Sequence, residues 1–354
     1  MSKNSFTKMH SVTKMHSVTK MHSAARFLGL LGLVTIMTAQ SGSSQTNSNV
    51  FEINKLLARS MNLSGLESPI EGQWGFKLEE AFFDQIKAAG FTAVRLPVRF
   101  SAHIEPFEPF NIRPEFFRRL DWAIQRAKAR GLAVIIDVHH FDELAGPEDY
   151  LKIRLVDVWR QIANRYKNQP ENVIFELYNE PHEFIEPYWN LHMAAALAMV
   201  RKTNPTRAVI VGPNGWNNAE RFKDLKLPDD PNLILTFHNY TPFQFTHQGA
   251  DWVTPSPAVG TTWTGTPTQL SEIRKYLDTA LEYGKAQNKP MFMGEFGAYE
   301  KGPTESRAAW TRFTRDEAEA RGFSWAYWEY NGGFGIYDPK AKTWRQPLLH
   351  ALTK

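Results

Sequence analysis

Two short apolar runs in the 354-residue chain end on a carboxylate. Residues 173–181 read VIFELYNEP and stop at Asn179, Glu180 and Pro181; residues 290–297 read PMFMGEFG, with Glu295 between Gly294 and Gly297. Both read as buried strands, because a strand covered on both faces is a near-continuous apolar stretch. In a closed barrel of parallel strands, the carboxyl ends carry the chemistry. Two glutamates delivered to one mouth suit cleavage of a glycosidic bond, which a pair of carboxyl groups performs, one ionised and one protonated.

The elements that would position them follow in order. From Phe51 onward the pattern alternates strand and helix, with strands expected at 59–63, 92–98, 132–140, 173–179, 208–212, 233–240, 291–295 and 324–330. Helical periodicity falls at 78–89, 114–130, 152–168, 188–203, 268–287 and 305–320, more weakly at 219–225, with a short last helix at 346–353. Gly90, Gly131 and Gly322 stand where helices stop and a left-handed cap is wanted. This order favours an α/β fold, a single (β/α)8 TIM barrel with its active site at the carboxyl ends of the strands, over a doubly wound sheet. Two connections, 241–267 and 331–345, are long and rich in aromatics; structureless loops of that length are usually functional.

Composition excludes several classes. At 42% hydrophobic and 22% charged the chain is ordinary for a globular enzyme, and with no cysteine it has neither disulfides nor thiolate metal sites. The formal charge of +4 belongs to residues 1–50, which hold Lys3, Lys8, Lys14, Lys20 and Arg26 and no acid; the remainder has 36 basic against 37 acidic residues. The body therefore gives no electrostatic case for nucleic acid. Residues 7–23 repeat TKMHSV almost three times, and Arg26 precedes the apolar run FLGLLGLVTIMT. That is the layout of a secretory signal peptide, too short for a comfortable membrane span. The expected organisation is a basic leader and signal peptide at 1–41, cut between Ala39 and Ser44, a polar linker at 42–50, and a catalytic domain at 51–354. The mature protein is expected to be secreted or periplasmic, outside the membrane, and monomeric.

Arg95, His139, His140, Asn179, Glu180, His238, Tyr240, Glu295 and Trp328 all fall at strand ends. This set, in this chain order, resembles glycoside hydrolase family 5, retaining glycosidases built on barrels, and the resemblance covers nearly all of 51–354. The residues around Trp328 and at 335–338 most resemble its bacterial endoglucanase and mannanase branch. The resemblance implies that Glu295 is the nucleophile and Glu180 the acid/base, with Arg95 and Tyr240 holding Glu295 anionic. It implies that Asn179 bonds the sugar 2-hydroxyl and that Trp328 floors the first sugar site. Trp216 is a further platform, and Asn62 a contact in the negative subsites. The function implied is a secreted endo-β-1,4-glucanase acting on cellulose, β-glucan or glucomannan, without metal or other cofactor.

Other readings stay open. An endo-β-1,4-mannanase or a mixed-linkage glucanase would share this scaffold, as would a sugar-binding barrel without activity. A metal-dependent barrel hydrolase could use His139, His140 and His238 as ligands. Adjacent strand residues point to opposite faces, however, so His139 and His140 are not expected to share an ion. Asp137, of His139's parity, is a buried partner for His139 or Arg95. Arg95 by itself could be a structural ion pair. Asn179–Glu180–Pro181 could be a helix start, and Trp252 and Trp263 could be platforms or core.

Overall fold

The computed structural model describes residues 49–141 and 148–354. The leader, the repeat with its histidines and most of the linker lie outside the described residues. Eight parallel strands close into a barrel: β1 (Arg59–Asn62), β2 (Ala93–Val98), β3 (Ala133–Val138), β4 (Val173–Glu176), β5 (Val209–Val211), β6 (Leu233–Asn239), β7 (Met291–Phe296) and β8 (Ser324–Tyr327), with β8 pairing back onto β1. Helices follow the expected pattern outside it. The weak signal near 219–225 proves to be a 3-10 helix at Ala219–Asp224, so only short turns join β5 to β6.

Parity along the strands separates two cores. Alternate residues such as Ala93, Ile135, Ile174, Ile210, Ile234, Phe292 and Ala326 fill the barrel, while Val94, Val134, Phe175, Leu235 and Trp325 pack outward under the helices. Branched and aromatic side chains on both faces explain the unbroken apolar runs.

Among the short helices without a counterpart in the sequence reading, the first has a structural role. Val50–Lys55 is capped by the Asn49 side chain, which accepts from Phe51 N–H. It closes the amino end of the barrel: Val50, Ile53 and Leu57 join the interior core. The Asn54 side chain donates to Met291 O, and Ser324 Oγ donates to Asn54 O. At six residues it is too short to show periodicity.

The two long connections are partly structured. Residues 331–345 contain the two-stranded ladder β9 (Tyr337–Asp338) and β10 (Thr343–Trp344). Tyr337 stacks on Tyr330 at 5.1 Å, and Trp344 meets Tyr330 edge-on at 5.7 Å, so these aromatics are packing groups.

The closing helix can be tested at Ile53. Ile53→Ala should lower unfolding free energy by about 3 kcal/mol, the usual cost of such a cavity, read by denaturant unfolding. Because Ile53 lies at the end opposite the glutamates, kcat should stay within about twofold.

Candidate active site

Arg95, inside β2, has no solvent exposure. Its Nε and Nη2 grip Glu176 at 2.7 and 2.9 Å. Nη1 donates to Asn62 Oδ1 and to Glu295 Oε1, both at 2.9 Å. Nη2 also reaches Asn179 Oδ1 at 2.7 Å and Asp137 Oδ2 at 3.0 Å. One cation thus ties β1, β2, β3, β4 and β7 together. Burial pushes the carboxyls of Asp137 and Glu176 up to about 7, while Arg95 pulls them back toward the anion. Glu176 was absent from the sequence reading. Its signal was a lone acid inside a buried strand, a residue type almost never buried unpaired.

The inward position of Glu295 depends on a slip in register. Phe237 pairs with Met293, but the next residue, His238, pairs with Glu295, leaving Gly294 unmatched. Without that extra residue, alternation would put Glu295 on the outward face with Met291 and Met293, since a one-residue slip reverses a side chain's face. Gly294 is also where β6 comes close: a Cβ there would stand 2.6 Å from Thr236 Oγ1 and 3.2 Å from His238 Nε2. At Gly297 a Cβ would meet Trp328 O at 2.2 Å. The two glycines of GEFG therefore admit the neighbouring strands.

The two glutamates have different surroundings. Glu295 Oε1 accepts from Arg95, and Oε2 accepts from Tyr240 Oη at 2.8 Å. Glu180 is half-buried, and its Oε1 lies 2.6 Å from His238 Nδ1. Asn217, also absent from the sequence reading, donates from Nδ2 to the Asn179 carbonyl and faces His238 Nε2 at 3.3 Å. An amide N–H can only donate, so Nε2 accepts and the ring proton sits on Nδ1. Burial holds His238 down to about 4, hence neutral. Nδ1–H then donates to Glu180 Oε1, so a proton on this carboxyl would sit on Oε2. Burial pushes Glu180 and Glu295 each up to about 7, against cationic and imidazole neighbours that pull both back down. They share one site, so their protons leave as a coupled pair.

His139 and His140 depart from the expected alternation. β3 ends at Val138, so both rings lie beyond the strand and both approach Glu67, at 3.7 and 2.9 Å. Asp137 serves both proposed partners, accepting from His139 Nδ1 at 2.6 Å as well as from Arg95. Trp328 is half-buried and lies parallel to His139 at 5.3 Å. Asn62 is corrected: it is fully buried, and its amide is committed to Arg95, Gly294 O and Tyr327 O, so it positions the wall and cannot reach a sugar. Trp216 is 51% exposed and stacks on His182. Trp252 is 56% exposed, whereas Trp263 is buried against Phe313 and belongs to the core. Two groups of side chains have metal-like spacing, Glu67–His139–His140 and Glu180–His238–Glu295.

Comparison with known proteins gives concordant matches. The sequence profile of the Cellulase family (glycosyl hydrolase family 5) matches residues 48–333. Endoglucanase H of Acetivibrio thermocellus is 36% identical over 85% of this chain and 33% of its own length. Endoglucanase A of Clostridium longisporum is 32% identical over 78% of this chain and 56% of its own. The chain thus spans a third to just over half of these relatives. Among solved structures, endoglucanase Cel5A from Thermotoga maritima is 42% identical with a TM-score of 0.84, covering 86% of this chain and 99% of that one. That enzyme has been crystallised with cellobiose and with mannotriose.

Glu329, next to Trp328, supplies a pH test. It is buried against Gly332, and burial first, then the Glu67 charge, pushes its carboxyl up to about 8. A raised carboxyl contributes stability below its unfolded value, and that contribution is lost as pH rises toward the folded value. Glu329→Gln should therefore match wild type near pH 4 and gain up to about 3 kcal/mol by pH 7, measured by urea unfolding at both pH values. Equal stability at both would refute the shift.

Proposed function

This chain belongs to the cellulase family, glycosyl hydrolase family 5, and on that premise we propose that it cleaves internal β-1,4 bonds of glucans with retention of configuration. The observation that carries the reading is the carboxyl pair: oxygens of Glu180 and Glu295 lie within 4.8 Å of each other, yet their hydrogen bonds differ. Retaining enzymes hold their carboxyls about 5–5.5 Å apart, too close to admit a water between them.

In this scheme Glu295 attacks the anomeric carbon while Glu180 Oε2 gives its proton to the departing glycosidic oxygen. The C–O bond breaks, a glycosyl ester forms on Glu295, and the leaving chain departs with the proton. Glu180, now ionised, takes a proton from water, whose oxygen attacks the anomeric carbon and frees Glu295. Arg95 and Tyr240 hold Glu295 anionic and accept it again as a leaving group. Asn179, oriented by Arg95, is placed for the 2-hydroxyl, and Trp328 offers an apolar floor to the sugar face.

A second substrate, mannan, is favoured by one observation: the Thermotoga maritima enzyme, 43% identical in its mannotriose complex, accommodates that sugar as well as cellobiose. Export is supported by the basic leader and the apolar run after Arg26.

Reducing-end release from carboxymethyl cellulose, lichenan, glucomannan, galactomannan and xylan tests the substrate class; action on xylan alone would overturn it. Proton NMR of the first product should show the β-anomer, and an initial α-anomer would exclude double displacement. Protein recovered outside the cell should begin between Ala39 and Ser44 by amino-terminal sequencing; an intact leader on exported protein would contradict the signal-peptide reading.

A further inference from the structure

Three donor atoms converge at the rim of the mouth, apart from the carboxyl pair. Glu67 Oε1 stands 2.9 Å from His140 Nε2 and 3.7 Å from His139 Nε2, and one donor atom from each residue falls within 4.8 Å of the others. Donors around tetrahedral zinc sit about 2.0–2.2 Å from the ion, hence roughly 3.4 Å apart. The spacing fits with small shifts of the half-exposed His140.

The resting hydrogen bonds make one of these contacts a meeting of two acceptors. His139 Nδ1–H donates to Asp137, whose Oδ2 is itself fixed by Arg95. That sets the tautomer, so Nε2 presents a lone pair toward the Glu67 carboxylate. Two acceptors 3.7 Å apart cannot bond each other; a cation between them would bridge both, and on binding it would displace the proton that His140 Nε2 now donates to Glu67 Oε1, leaving that nitrogen a lone pair. A carboxylate on the far nitrogen of a histidine is also the usual support of a metal-binding imidazole. Two imidazole nitrogens and one carboxylate oxygen suit a borderline-soft ion over magnesium or calcium. The other candidate group is less suitable, because the Arg95 guanidinium lies 2.9 Å from Glu295 and Asn217 fixes His238.

We propose that Glu67 Oε1, His139 Nε2 and His140 Nε2 bind a divalent transition cation of the zinc class, and that the bound ion blocks the sugar site. Trp328, the floor proposed for the sugar, lies parallel to the His139 ring at 5.3 Å, so an ion on that ring would sit beside the sugar site. Only the blocking rests on the proposed function; the binding does not.

Calorimetric titration of the full, chelator-treated chain with zinc chloride tests the binding without substrate. Glu67→Gln and His140→Gln should each weaken one site by at least about tenfold, whereas Glu180→Gln should retain it. Differences between chains cancel any contribution of the leader histidines. Cobalt(II) should give tetrahedral visible bands in wild type that His140→Gln lacks. On carboxymethyl cellulose, zinc should raise KM without lowering kcat, reversibly with chelator. No site lost in either rim variant, or a site lost in Glu180→Gln alone, would overturn the binding. Zinc bound with KM unchanged would overturn the blocking, while turnover in zinc-free buffer independently tests the glucanase reading.

Discussion

A single buried guanidinium organises this barrel's mouth. Arg95 meets carboxylates from β3, β4 and β7 and side-chain amides at the ends of β1 and β4. A charge without solvent is tolerable only when paired and fully hydrogen-bonded. Deleting one side of such a pair costs roughly 3–5 kcal/mol, so the arrangement admits little variation in any of the five strands. Stability and geometry are therefore coupled here: the groups that neutralise Arg95 are also those that fix where Glu295 and Asn179 stand.

The carboxyl pair gains its asymmetry from what surrounds it. Both groups are pushed up by burial, so burial does not distinguish them. Hydrogen bonding does. Glu295 takes two strong donors, Arg95 and Tyr240, which favour its anion. Glu180 takes one from a neutral imidazole on a single oxygen. Asn217 does not touch either carboxyl, yet it decides which histidine nitrogen carries the proton given to Glu180.

Aromatic residues divide by exposure. Trp159, Trp189, Trp310 and Trp325 fill the core, and Trp189 and Trp310 donate their indole N–H groups to backbone carbonyls near the mouth. Trp216, Trp252 and Trp328 keep surface available. These exposed rings thus add apolar faces to a surface that also carries the charged pair.

The sequence by itself determined the barrel, the order of its elements and the positions of both glutamates, because unbroken apolar strands and glycine-stopped helices are local signals. It also named Arg95, within one readable strand, and His238 and Tyr240, at the end of another. Tertiary structure decided what depends on register and on distant neighbours. The unmatched Gly294 turns Glu295 inward, which strict alternation along β7 would deny. The end of β3 at Val138 lets His139 and His140 converge where alternation would separate them. Glu67 lies in a loop and Asn217 ends a four-residue helix, both too short or irregular for periodicity to describe, and Asn62 proved to be a buried brace. Local pattern specifies which element forms; which side chains meet across 33 to 200 residues, as Asn62 and Glu295 meet Arg95, is set by barrel closure and by the need to neutralise one buried charge.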